Sequence, residues 1–180
     1  RPHRVRDEND YDVLSEFVIS CQTLAKRLAQ STPCIAPVSI SLGDARKLDR
    51  LRPDSVDLVV TSPPYLNAID YMRGHKLALV WLGYSVAELR KIRSSAIGAE
   101  SRNRDLNSDS KRAQVMSAFG RLDSLPPQLV RMTERYAGDL ISLMGNLSRV
   151  VKRTGEIQLV VGDSRLRGVE ISNSRATVAA

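Results

Sequence analysis

Apolar positions recur at helical spacing early in the chain. Val13, Leu14, Phe17, Val18, Cys21, Leu24, Ala25 and Leu28 make one stripe over 11–30, which predicts an amphipathic helix. Ser31-Thr32-Pro33 ends it, because a residue before proline resists the helical region. A short strand is expected at 38–42, closing at Gly43-Asp44, and then a short polar turn or helix through Lys47 and Leu51. Val56, Leu58, Val59 and Val60 form a nearly continuous apolar run at 55–60 that stops at Ser62-Pro63-Pro64. Such runs belong to strands buried in parallel sheets. Helices are predicted over 68–82, through Ile69, Met72, Leu77, Val80 and Trp81, and over 86–94, whereas 97–110 is polar and charged and reads as a loop. The strongest helical stripe follows Pro126-Pro127, with Leu129, Met132, Tyr136, Leu140, Leu143, Leu147 and Val150. Lys152 and Arg153 at its end suit the helix dipole, and Gly155 fits its stop. A last strand is expected at 156–161, ending at Gly162-Asp163-Ser164.

Strands alternating with helices predict an α/β fold, mostly a parallel sheet with helices on both faces. The chain reads as a single domain over 1–180, with 96–127 as a loop-and-helix insertion. No internal repeat or low-complexity tract interrupts it.

Composition narrows the class. With 180 residues, 42% of them hydrophobic and 26% charged, the chain is large enough for one core and too apolar for disorder throughout. No apolar run approaches the roughly 20 residues of a membrane helix. Arg1-Pro2-His3-Arg4 has neither an initiator Met nor the apolar stretch of a signal peptide, so the chain reads as a piece of a longer one, or as one trimmed by processing. Twenty-seven Lys and Arg against 20 acids give +7 and a pI near 9.8. That balance favours polyanionic partners, and it fits an evenly solvated surface equally well. Cys21 and Cys34 lack the spacing of a zinc site or a disulfide framework, and His3 and His75 make no metal pair. No metal is expected. Cys21 lies in the first apolar stripe and reads as a buried, inert thiol. A reducing, cytoplasmic setting follows.

The stretch Asp57-Leu58-Val59-Val60-Thr61-Ser62-Pro63-Pro64-Tyr65 carries chemistry. A buried strand here delivers a hydroxyl, two prolines and an aromatic ring at its C-terminal end, where open α/β sheets bind ligands. Two prolines fix two φ angles and remove two N–H donors. The backbone then offers carbonyls without competing donors, Ser62 adds an oxygen, and Tyr65 adds a π-face. Acceptors beside a stacking platform suit an amino group on a planar heterocycle. A strand-ending turn with Tyr65 simply packing is the alternative.

Thr61-Ser62-Pro63-Pro64-Tyr65 after Asp57-Leu58-Val59-Val60 resembles the catalytic motif of S-adenosylmethionine-dependent DNA amino-methyltransferases, which act on cytosine-N4 or adenine-N6. Leu66-Asn67-Ala68-Ile69-Asp70-Tyr71, Gly74-His75-Lys76 and Trp81-Leu82-Gly83 are also similar to that family, and the resemblance runs from about Val38 to Gly168. It implies a partial Rossmann-like class I methyltransferase fold with S-adenosylmethionine as cofactor. Ser62 and the carbonyl of Pro63 would accept from the target amine, Pro64 would complete the frame, and Tyr65 would stack on a flipped base. Asp44, Ala45 and Thr61 would border the cofactor. The Ser-Pro-Pro-Tyr form leans to cytosine-N4. DNA is the implied partner, RNA the alternative, with membership of a restriction–modification system and a homodimer both left open. An incomplete fragment that only binds nucleic acid is the reading from another class.

One hallmark of the family is absent. No Gly-x-Gly occurs anywhere in the sequence, so the loop that cradles the methionine end of the cofactor would lie in a remainder of the protein before Arg1 or after Ala180, or be lost. Asp70 and His75 resemble family positions near the pocket, with a helix cap or surface pair as the alternative. Lys76, Arg90, Lys91 and Arg93, and the Arg102-Asn103-Arg104 stretch, are candidate phosphate contacts, with a solvated face as the default.

Overall fold

A computed structural model describes residues 12–31, 36–66, 71–97 and 109–180. The chain divides into two compact units, Arg1–Ser41 and Leu42–Ala180. In the first, α1 spans Val13–Gln30. Asp12 caps it: Oδ1 accepts from the amides of Leu14 and Ser15, each at 3.1 Å, meeting two of the donors a helix start leaves over. Ser31 is already extended. None of the residues of α1 is buried. Cys21 is therefore exposed, contrary to its expected burial, because the stripe that predicted a buried thiol has no layer over it among the described residues.

The strand expected at 38–42 does not form. Val38, Ile40 and Leu42 stand exposed, Ile40 at 93%. Alternation supplies an apolar face, but a strand exists only through ladder bonds to a neighbour, and no described residue provides them.

The second unit is built around one parallel strand pair. β1 (Val56–Thr61) is followed by α2 (Tyr71–Trp81), α3 (Val86–Ser95), α4 (Asp109–Ala118) and α5 (Pro127–Val150), and then β2 (Val151–Leu159) returns beside β1. A short antiparallel pair, β3 (Ser164–Leu166) with β4 (Val169–Ile171), and α6 (Asn173–Ala179) complete it. Ser85 and Glu88 form a capping box on α3. Of the polar loop expected at 97–110, residues 98–108 lie outside the described ones, and α4 begins at Asp109. α4 and the turn after it place Val115, Phe119 and Leu125 in the core, against Tyr136, Ala137 and Leu140 of α5, with Leu66, Leu166, Ile171 and Ala176 closing the cluster.

α5 runs 24 residues and buries Tyr136, Leu140, Leu143, Leu147 and Val150 on one face, as their spacing predicts. Its end differs from expectation. Val151 is extended and passes straight into β2, so Lys152 and Arg153 are strand residues and Gly155 is no helix stop. Lys152 instead pairs with Asp57 of β1 at 2.7 Å.

The register explains Gly155. Val56 pairs with Val151, yet Leu58 pairs with Glu156, so four residues of β2 stand opposite Asp57 alone. In this bulge a Cβ at position 155 would lie 2.7 Å from Val151 Cγ1, 2.9 Å from the Asp57 carbonyl and 3.0 Å from the Val56 carbonyl. Two of those three neighbours are backbone and cannot swing aside. The opposite side of β1 is open: Leu58 and Val60 are 52% and 65% exposed, so the run expected to be buried is covered on one face only. Gly155→Ala is expected to cost about 1–3 kcal/mol, the usual range for overpacking a close-packed site, read as a lowered denaturant midpoint.

Candidate functional site

The loop 62–65 leaves the sheet at the C-terminal end of β1. The last ladder bond runs from the Val160 amide to the Thr61 carbonyl at 3.0 Å. In a parallel ladder the next donor, to the Val160 carbonyl, would be the amide of residue 63. That residue is proline and has no N–H. The Ser62 hydroxyl takes its place and donates to the Val160 carbonyl at 3.1 Å. Its proton is thereby committed, and the oxygen's lone pairs are left to accept. Ser62 is exposed and Pro63 buried. The Pro63 carbonyl accepts no hydrogen bond among the described residues. The Pro64 carbonyl does, from the Tyr136 hydroxyl at 3.0 Å.

Tyr65 is half-buried, with its ring against Gly162. A Cβ at position 162 would meet two ring carbons and the phenol oxygen at 3.3–3.5 Å, so glycine permits this close approach. Gly162 is held in turn by Asn173, whose Nδ2 donates to the Gly162 carbonyl at 3.0 Å and to Ser164 Oγ at 2.8 Å. Asp163 accepts from the amide and hydroxyl of Ser174, and those bonds hold its carboxyl below the ordinary range. The end of β2 is thus tied to the start of α6.

The second expected cluster lies on the turn after Gly43. Asp44 is joined to Arg46 three times: Oδ1 accepts from the Arg46 amide and Nε, each at 3.0 Å, and Oδ2 from Nη2 at 2.8 Å. These bonds hold the Asp44 carboxyl below its ordinary range. A carboxylate has about four acceptor positions, so one on Oδ2 remains for another donor. Arg46 also reaches Asp139 Oδ1 at 2.9 Å and the Ser95 carbonyl at 2.8 Å. The bond to Asp44, helped by that to Asp139, leaves its guanidinium more firmly charged than an ordinary arginine, outweighing the opposing desolvation. Asn146 donates to the Arg46 carbonyl at 2.7 Å. Arg149 donates to the carbonyls of Leu51, Lys47 and Leu48, fixing a turn in which Leu48 has the costly φ of +44°.

Tyr136, Asp139, Asn146 and Arg149 are therefore one polar stripe on α5, and sequence reasoning missed it as a stripe. Their spacing of three, seven and three was the available signal. By periodicity alone Tyr136 counts only as an apolar residue. Burial, and secondarily the charge of Asp139, push its phenol well above the ordinary range, so it stays a donor at physiological pH. Ala45 is exposed and Thr61 half-buried. His75, Lys76, Arg90, Lys91 and Arg93 are exposed on α2 and α3, while Asp70 and 102–104 lie outside the described residues. No helix among the described residues is long and apolar enough to cross a membrane.

The comparisons with known proteins bear on this loop-bearing chain. A 57-residue stretch is 33% identical to the Type II methyltransferase M.BsoBI of Geobacillus stearothermophilus. That stretch is 32% of this chain and 11% of the relative, so the chain spans about a ninth of the length of the curated relative it matches. No family model and no solved structure matches.

Arg46→Leu is expected to lower stability by about 1.5–3 kcal/mol, the range for hydrogen bonds to charged groups, because it removes the pairs to Asp44 and Asp139 and loosens the 44–51 turn. The Asp44 carboxyl is held below its ordinary 3.8, so its contribution is present above that value and lost as pH falls through the lowered one. Unfolding midpoints should separate parent and variant at neutral pH and converge in acid below the ordinary aspartate range.

Proposed function

We infer that this chain carries the amine-binding part of a DNA amino-methyltransferase, and that its target is cytosine-N4. One observation supports this most: the Ser62 hydroxyl and the two prolines after it present acceptors, with neither the hydroxyl proton nor a proline nitrogen free to donate. The Ser62 proton is committed to Val160, Pro63 and Pro64 have no N–H, and the Pro63 carbonyl accepts no hydrogen bond among the described residues. An exocyclic amine has two N–H groups to give and no acceptor of its own, so it matches such a receptor. A keto oxygen does not. The likeness to a type II methyltransferase and the Thr61–Tyr65 motif agree with this reading.

The target amine is a poor nucleophile because its lone pair is delocalised into the ring. Bonds from it to Ser62 Oγ and the Pro63 carbonyl strengthen as positive charge develops on nitrogen, so they favour the transition state over the ground state. Tyr65, backed by Gly162, offers its free face to the base and offsets the unstacking of a flipped nucleotide. S-adenosylmethionine supplies the methyl group. Asp44 keeps one acceptor position for an adenine amine, but no Gly-x-Gly is present to cradle the methionine end, so the fit to the cofactor covers one side only. That shortfall and the +7 charge favour the second reading, a nucleic-acid-binding piece without catalysis.

Methyl transfer from labelled S-adenosylmethionine to DNA separates them. Ser62→Ala is expected to depress turnover about 100-fold, as losing one such charge-stabilising bond does. Tyr65→Ala should weaken base capture by about 1–3 kcal/mol of stacking. DNA affinity at fixed salt should hold in both, since phosphates dominate it. Parent rates in both variants would show that the loop is not the catalytic site, and a ring-carbon methyl in the product would show that the chemistry is different.

A further inference from the structure

We propose that Tyr136 is the positioning residue of this receptor, holding the Pro64 carbonyl so that the Pro63 carbonyl and the Tyr65 ring keep their aim. The inference rests on the amine-binding reading and adds a residue to it. Proline fixes φ but not ψ; a following proline already holds Pro63 extended, so the Pro64 ψ is the one left to decide where its carbonyl points and where Tyr65 goes. Neither residue can donate to the ladder, so this part of the chain is anchored only through carbonyls and side chains. Among the described residues the Tyr136 hydroxyl, at 3.0 Å, makes the anchoring bond to this dipeptide.

Tyr136 is itself immobile. It is 1% exposed, it sits in the middle of α5, and its ring is tilted at 45° against Phe119, with centroids 5.9 Å apart. The hydroxyl contributes nothing to that packing that phenylalanine would lack. Its role is to draw the Pro64 carbonyl inward. The Pro63 carbonyl takes no hydrogen bond among the described residues, so a fixed Pro64 leaves it to accept. With the Pro64 ψ fixed, Tyr65 lands on Gly162.

A purely structural hydroxyl is the rival explanation, and α5 supplies its control. Thr133, one turn earlier, is also completely buried, and its hydroxyl donates to the Leu129 carbonyl within the helix at 2.9 Å. Thr133→Val deletes a buried hydroxyl without touching the loop. The test compares the full chain with Tyr136→Phe, Thr133→Val and Ser62→Ala. It measures methyl transfer to DNA together with an NMR titration of 2′-deoxycytidine followed at the Tyr65 and Leu66 amides. Tyr136→Phe is expected to lower turnover and deoxycytidine affinity about tenfold, the effect of one hydrogen bond of ordinary strength. KM for DNA should be unchanged, the Pro64 carbonyl carbon resonance should move, and Thr133→Val should behave as the parent. Parent-like behaviour of Tyr136→Phe alongside a crippled Ser62→Ala overturns the role of Tyr136 and leaves the receptor standing. Equal losses in Tyr136→Phe and Thr133→Val also overturn it, since general loosening would then account for both. A parent that neither transfers a methyl group nor responds to deoxycytidine, or a Ser62→Ala variant as active as the parent, overturns the receptor reading and this inference with it.

Discussion

Two consecutive prolines at the end of a parallel strand impose a constraint that the rest of the second unit answers. The backbone at 63–64 can accept hydrogen bonds but not donate them, so the ladder stops and the chain must be held from outside. α5 does the holding. Tyr136 takes the Pro64 carbonyl, and one turn later Asp139 takes Arg46. Arg46 in turn holds Asp44, and Asn146 and Arg149 secure the turn that follows. A single helix therefore positions both loops that the sequence marks as chemical. Its own place is fixed by the apolar face it buries against α4, α6 and Leu66. Burial sets the helix, and the helix sets the loops.

Much of this was legible in the sequence where periodicity and burial coincide. The stripe through Tyr136, Leu140, Leu143 and Leu147 located α5, and the apolar run before Ser62 located β1 and its end. Where the inference needed a partner it failed. The 38–42 segment alternates as a strand does but gains no neighbour, and Cys21 sits in an apolar stripe that nothing described covers. Lys152 and Arg153 looked like helix-terminal cations because periodicity does not reveal that Val151 turns extended. The loop itself was readable from Ser62 to Tyr65, yet its supports were not. Pro64 and Tyr136 are 72 positions apart and Arg46 and Asp139 are 93 apart. No local spacing rule connects such pairs.

The polarity of the loop is also not a property of Ser62 alone. A hydroxyl donates or accepts according to what surrounds it, and Ser62 is an acceptor because Val160 stands opposite and takes its proton. That opposition depends on the register of β2 against β1. A one-residue slip in a strand turns every side chain to the other face and removes the matching carbonyl. The register, in turn, is offset by the four-residue bulge opposite Asp57, where Gly155 alone has room beside the β1 backbone. The acceptor character of Ser62 therefore rests on a strand register, and the bulge that offsets that register has room for glycine at 155.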